Sequence, residues 1–110
     1  MEDRRKFRRF YTILNAQYFL REKKEGWKEC VTTDICHKGV GIKLNTTEKI
    51  NIGSPIALEI FAPTEYDPID ARGVVKRLGK DGNGLMSGIE FNNTIDDTKW
   101  AKLCLHMMAL

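Results

Sequence analysis

The sequence has little that would signal a membrane span, a disulfide scaffold or a metal centre. No apolar run approaches the roughly 18 residues needed to cross a bilayer, although residues of the AVILMFWYC set make up 42% of the chain. The start, Met1-Glu2-Asp3-Arg4-Arg5, is charged and has no apolar stretch behind it, so no secretory signal is expected. Cysteine is scarce. Cys30, Cys36 and Cys104 are odd in number and lack CxxC spacing, which argues against a disulfide framework or a zinc site. Without an export signal, the expected compartment is the cytoplasm. The two histidines, His37 and His106, form no metal-ligand pattern, and no metal is expected. At 110 residues the chain holds one hydrophobic core, which excludes two full domains or a large scaffold such as an eight-stranded α/β barrel. Internal repeats and low-complexity stretches are absent, and 30% charged residues mark a globular composition.

Signals of catalysis are equally sparse. The carboxylates are scattered, and no nucleophile–base–orienter set can be assembled. Gly79-Lys80-Asp81-Gly82-Asn83-Gly84 lacks the GxxxxGK[ST] order of a phosphate-binding loop, and no helix follows it. Asn45-Thr46-Thr47 and Asn92-Asn93-Thr94 match glycosylation sequons, which carry no meaning without export. An enzyme is the least expected class.

What is present begins with charge. Residues 1–9 contain Arg4, Arg5, Lys6, Arg8 and Arg9 against Glu2 and Asp3. That surplus of three equals the formal +3 of the whole chain, because the remainder carries 13 basic and 13 acidic side chains. A basic cluster on a neutral body suits an anionic partner: nucleic acid, a phosphorylated small molecule or a membrane surface. A solvated tail is the plain alternative.

The middle of the chain alternates with a period of two. Thr12, Leu14, Ala16, Tyr18 and Leu20 share one face, and Lys23-Lys24-Glu25-Gly26 suits a hairpin turn. Trp27 to Thr33 reads as a second strand and Gly39 to Leu44 as a third. Pro55 opens a fourth, with Ile56, Leu58 and Ile60 on one face. Ile69 to Leu78 and Leu85 to Phe91 make two more, joined by a turn over Gly79–Gly84. The period then changes. Thr94 with Asp97 resembles a capping box, and Trp100, Leu103, Met107 and Leu110 form one face of a helix. Six short strands and a terminal helix favour a small antiparallel barrel or sandwich.

Two segments stand out. Arg4-Arg5-Lys6-Phe7-Arg8-Arg9-Phe10 contains overlapping RxxxR spacings, Arg4/Arg8 and Arg5/Arg9. Asp34-Ile35-Cys36-His37-Lys38-Gly39 lies between strands two and three. Together they resemble the PilZ domain family, bacterial receptor modules for cyclic di-GMP, whose pattern is RxxxR followed by [D/N]xSxxG. Arg5 and Arg9 match the first motif best. Asp34, Cys36 and Gly39 align with the second, with Cys where Ser is usual. Val74-Val75 and Gly88-Ile89-Glu90-Phe91 resemble the family's last two strands, so the likeness spans the whole chain.

The resemblance implies a mostly β fold: a six-stranded antiparallel barrel with a C-terminal α-helix. It divides residues 1–110 into a flexible basic arm (1–10), a barrel (11–93) and a helix (94–110). It implies cyclic di-GMP as ligand, often an intercalated pair of molecules, held by Arg4, Arg5, Arg9, Asp34, Cys36 and Gly39. No other cofactor is implied, and neither nucleic acid nor a membrane is the implied partner. The arm would fold over the ligand and relay the signal to a protein partner.

The chemistry suits the residue types. Guanidinium groups pair with phosphate oxygens and read or stack on guanine. An ionised Asp34 accepts from guanine N1–H and N2–H₂, the Cys36 thiol bonds more weakly than a hydroxyl, and Gly39 permits close approach or positive φ. A degenerate relative that serves as a protein-interaction adaptor and ignores the nucleotide is the alternative. A basic-armed barrel that binds nucleic acid is a third reading, although no array of strand aromatics offers stacking platforms.

Overall fold

A computed structural model of the chain describes residues 8–45, 49–82 and 84–109. Six strands, β1 (Asn15–Leu20), β2 (Lys28–Cys36), β3 (Gly39–Leu44), β4 (Pro55–Ile60), β5 (Ile69–Asp81) and β6 (Gly84–Phe91), precede one helix, α1 (Asp97–Met108). Every neighbouring pair is antiparallel, and the order β1-β2-β3-β6-β5-β4 closes because β1 pairs with both β2 and β4. The six-stranded barrel with a terminal helix expected from the sequence is the fold observed. Closure gives every strand a neighbour on both sides, so the barrel has no edge strand, although β5 runs on past the end of β4.

The alternation of the sequence becomes the core. Ala16, Tyr18 and Leu20 of β1 are buried, as are Val40, Ile42 and Leu44 of β3 and Ile56, Leu58 and Ile60 of β4. Each large aliphatic side chain contributes about 1.5–3 kcal/mol by leaving water. From α1, Leu103 is fully buried, and Trp100 and Met107 pack partly against the same cluster. Leu110, the last member of the expected helical stripe, lies outside the described residues.

The boundaries differ from the sequence reading at several places: β1 starts at Asn15 and not at Thr12, β2 at Lys28 and not at Trp27, and three larger differences follow. β2 continues through Asp34, Ile35 and Cys36, so these lie in a strand and not in a loop. The register shifts between Thr32 and Asp34, so Thr32 and Ile35 are both buried although three positions apart. This bulge resets the period-2 pattern and hides the strand's second half. β5 and β6 extend into the expected six-residue joint, leaving only positions 82 and 83 between them, with Gly82 at φ +62°. The helix cap is Asp96, not Thr94: its side chain accepts from the Lys99 N–H at 3.1 Å. Thr94 precedes a buried Ile95 whose N–H donates to His37 O at 3.0 Å, so the chain there is still anchored to the barrel.

Candidate functional site

The site is built where the N-terminal segment joins β2. Thr32 is fully buried and acts as a staple. Its hydroxyl donates to Thr12 O at 2.6 Å and accepts from the Leu14 N–H at 2.9 Å, while its own N–H donates to Leu14 O. Further out, Phe10 and Ile35 exchange both backbone hydrogen bonds at 2.8 Å. The Phe10 ring meets Trp100 of α1 at 6.0 Å between centroids, and Trp100 stacks on His37 at 5.5 Å with planes 10° apart. His37 Nε2 lies 2.6 Å from Ile95 O and 3.2 Å from Asp97 Oδ1. Both neighbours are acceptors, so Nε2 is the protonated nitrogen. This inward column fixes Phe10 and carries the adjacent side chain, Arg9, onto the face shared by Asp34 and Cys36.

Arg9 Nε lies 3.3 Å from Asp34 Oδ2, and Asp34 Oδ1 accepts from the Thr33 hydroxyl at 2.8 Å. Arg9, Asp34, Cys36 and Gly39 line one cleft of about 270 Å³, whose other wall is Lys76, Arg77, Gly88 and Glu90. Gly41 of β3 stands directly opposite Gly88 of β6, so the floor carries no Cβ at either position. The Asp34 carboxylate and the Thr33 hydroxyl fill the space a Cβ on Gly41 would need. Gly39 lines the cleft but does not adopt the positive φ that was one expectation for it. A Cβ there would stand 2.5 Å from Ile89 O, so it permits close packing of β3 on β6.

The remaining motif residues divide. Arg4 and Arg5, with most of the basic arm, lie outside the described residues. Arg8 turns toward α1, where its charge lowers the Cys104 thiol pKa against the larger upward effect of burial. Arg9 therefore is the arm guanidinium on the cleft side among the described residues. The sequence reading missed Gly41, Lys76, Arg77 and Gly88 as cleft residues. A signal existed for the glycines: a glycine inside a strand marks close approach of another group.

The cleft suits an anion that also carries donors. Arg9, Lys38, Lys76 and Arg77 outnumber Asp34 and Glu90 around it. A larger depression of about 1090 Å³, lined by Gln17, Glu29, Lys43 and Asp81, does not. Its lysine is already paired with Asp81 at 3.0 Å, and its carboxylates would repel a polyanion. Among the described residues no group of three or more His, Cys, Asp or Glu could hold a metal ion, and no helix is long and apolar enough to cross a membrane.

A family model described as PilZ domain matches residues 3–106. The structure of the Bacillus subtilis inhibitor of motility (MotI/DgrA) superposes with a TM-score of 0.78 at 20% identity, covering 98% of this chain and 51% of that one. This chain therefore spans about half the length of that relative. The PilZ domain of YcgR from Escherichia coli, solved with c-di-GMP, gives 0.64 at 19% identity, covering 98% and 92%. The PilZ domain of CeSA from a cellulose-synthesizing bacterium gives 0.59 at 16% identity, covering 93% and 96%. At these identities the likeness carries the fold. No curated protein matches.

Proposed function

The chain belongs to the PilZ domain family, and from that premise we propose that it is a non-enzymatic receptor module for cyclic di-GMP. The observation that carries this reading is the Arg9–Asp34 pair standing over the glycine-floored cleft. Arg9 is 40% exposed and Asp34 18%, and a pair this accessible contributes only about 0–1 kcal/mol. It is readily exchanged: the guanidinium turns to a ligand phosphate, and the carboxylate is freed for guanine N1–H and N2–H₂. Arg5 and Arg4 join Arg9 through the family motif. The Cys36 thiol supplies a weak contact, and Gly39 holds the strand spacing. Ordering of the arm over the ligand would present a new surface to a protein partner. As a receptor for this messenger, the chain works in the cytoplasm and needs no metal, nucleic acid or membrane.

Calorimetric titration with cyclic di-GMP tests the reading. The wild-type chain binds, and Arg9→Ala or Arg5→Ala each weakens binding at least tenfold, as expected for losing a charged hydrogen bond of about 1.5–3 kcal/mol. Unchanged affinity in both variants overturns it. The second reading, an interaction adaptor that ignores the nucleotide, draws on the thiol at position 36. Absence of both heat and amide shifts with excess ligand would favour it.

A further inference from the structure

We propose that Arg77, which the two motifs do not include, is a guanine-reading residue that sets base preference in the cleft together with Asp34. The inference rests on the cyclic di-GMP reading and assigns a residue to it. Four observations converge on Arg77. The β5–β6 register shifts between Val75 and Arg77, so that the consecutive residues Lys76 and Arg77 are both exposed. A bulge of this kind re-aims a side chain that regular alternation would send elsewhere. Arg77 is then paired across the ladder with Gly88.

The guanidinium occupies the place of the missing Gly88 side chain. A Cβ there would stand 2.8 Å from Arg77 Nε, 3.1 Å from Nη2 and 3.4 Å from Cζ. The two nitrogens are nearer than the carbon, so the group meets the glycine with its Nε–Nη2 edge. That edge is the fork that makes bidentate contacts. Gly88 lies opposite Gly41, over which Asp34 sits. The two glycines thus set a donor fork and an acceptor carboxylate side by side, on the scale of an antiparallel residue pair, about 4.5–5.5 Å between Cβ positions.

Arg77 is also uncommitted. Arg9 pairs with Asp34, and Lys76 with Glu90 at 3.7 Å. Arg77 makes no ion pair or side-chain hydrogen bond among the described residues. A group that fits between the fork and the carboxylate must present acceptors to one and donors to the other. Guanine does so, with O6 and N7 for Arg77 and N1–H and N2–H₂ for Asp34. Adenine offers N7 but places the N6 amino donor where O6 should be, so the fork loses one of its two acceptors.

The test is calorimetric titration of the full chain with cyclic di-GMP and with cyclic di-AMP, which carries the same phosphates and a different base. The wild type prefers cyclic di-GMP. Arg77→Ala and Arg77→Lys each reduce cyclic di-GMP affinity roughly ten- to hundredfold, the worth of a bidentate base contact, and shrink the preference by a similar factor. Lysine keeps the charge but lacks the fork, so it does not rescue. Gly88→Ala, with Arg77 intact, shifts the preference the same way because its Cβ takes the fork's place. The arginine variants keep the test decisive if Gly88→Ala does not fold. Full rescue by lysine, or equal weakening of both ligands, would reduce Arg77 to a point charge and overturns the proposal. Wild-type binding that requires Arg9 and is indifferent to Arg77 overturns this inference alone. Absence of wild-type binding to cyclic di-GMP overturns the receptor reading itself.

Discussion

Along the segments 9–10 and 34–37, side chains alternate between two environments. Arg9, Asp34 and Cys36 face the cleft, whereas Ile35 and His37 are buried and Phe10 packs partly against the core. The outward contacts are accessible and exchangeable: one ion pair at 3.3 Å with both partners partly in water. The inward contacts are not. Two backbone hydrogen bonds, an aromatic column and a buried histidine hold Phe10 in a fixed register beside Asp34. The difference separates duties within a few residues. Packing decides where Arg9 emerges, and charge decides what it meets there.

The strongest way to break this division is to truncate the inward column. Trp100→Ala removes the ring that touches both Phe10 and His37. Because Trp100 is half-buried, the loss falls at or below the low end of the aromatic-to-alanine range, about 2–3 kcal/mol. Denaturant unfolding measures it. Arg9→Ala, by contrast, shifts stability by less than about 1 kcal/mol while weakening the proposed ligand. If packing sets the position of Arg9, Trp100→Ala also weakens cyclic di-GMP binding from outside the cleft, and Trp100→Phe restores most of both. A Trp100→Ala protein that is destabilised yet titrates like wild type would show the two faces to be independent.

A smaller effect sharpens the same point. Thr32→Val keeps shape but removes the hydroxyl that serves Thr12 O and the Leu14 N–H. Leaving buried polar groups unpaired costs about 1–3 kcal/mol. The expected outcome is a lowered unfolding midpoint, together with faster amide exchange at Leu14. Unchanged protection there would mean that the backbone bond from Thr32 N to Leu14 O suffices to hold the segment.

The inward face was the legible one. Alternation at Ala16, Tyr18, Leu20, Ile56, Leu58 and Ile60 gave strands because burial on one side of a sheet imposes a period of two. The helical stripe through Trp100, Leu103 and Met107 was visible for the corresponding reason. The outward face was legible only where a family motif named its residues. The strand character of Asp34 and Cys36 is hidden in the sequence because the bulge at Thr33 breaks alternation just before them. The pairing of Arg77 with Gly88 has no local signal, because it is a cross-strand relation, set by a second bulge, between positions that nothing local connects. Asp96 displaced Thr94 as cap because Ile95 is held by His37 O, a contact with residues far back in the chain.

The cysteines of β2 repeat the contrast, since Cys36 faces the cleft and Cys30 is buried in the core. Cys36→Ser should raise cyclic di-GMP affinity by up to about tenfold, the worth of one neutral hydrogen bond, with no change in unfolding midpoint. Cys30 should reveal itself only in alkali. Burial pushes its thiol up to about 12, against roughly 8.5 in an unfolded chain. The folded state therefore holds the proton more tightly. Below about pH 8.5 the thiol is protonated in both states, and its contribution is fully present. As pH rises from there toward 12, the unfolded chain releases the proton while the fold does not, and stability falls. At neutral pH the effect is nil, and by pH 9.5 it is on the order of 1 kcal/mol. Thermal melts of wild type and Cys30→Ala across pH 7 to 10 check it. The variant starts lower, because a buried side chain has been trimmed, but declines less steeply above pH 8.5. Parallel curves would mean that the alkaline loss comes from other groups and that the inner face carries no titrating thiol.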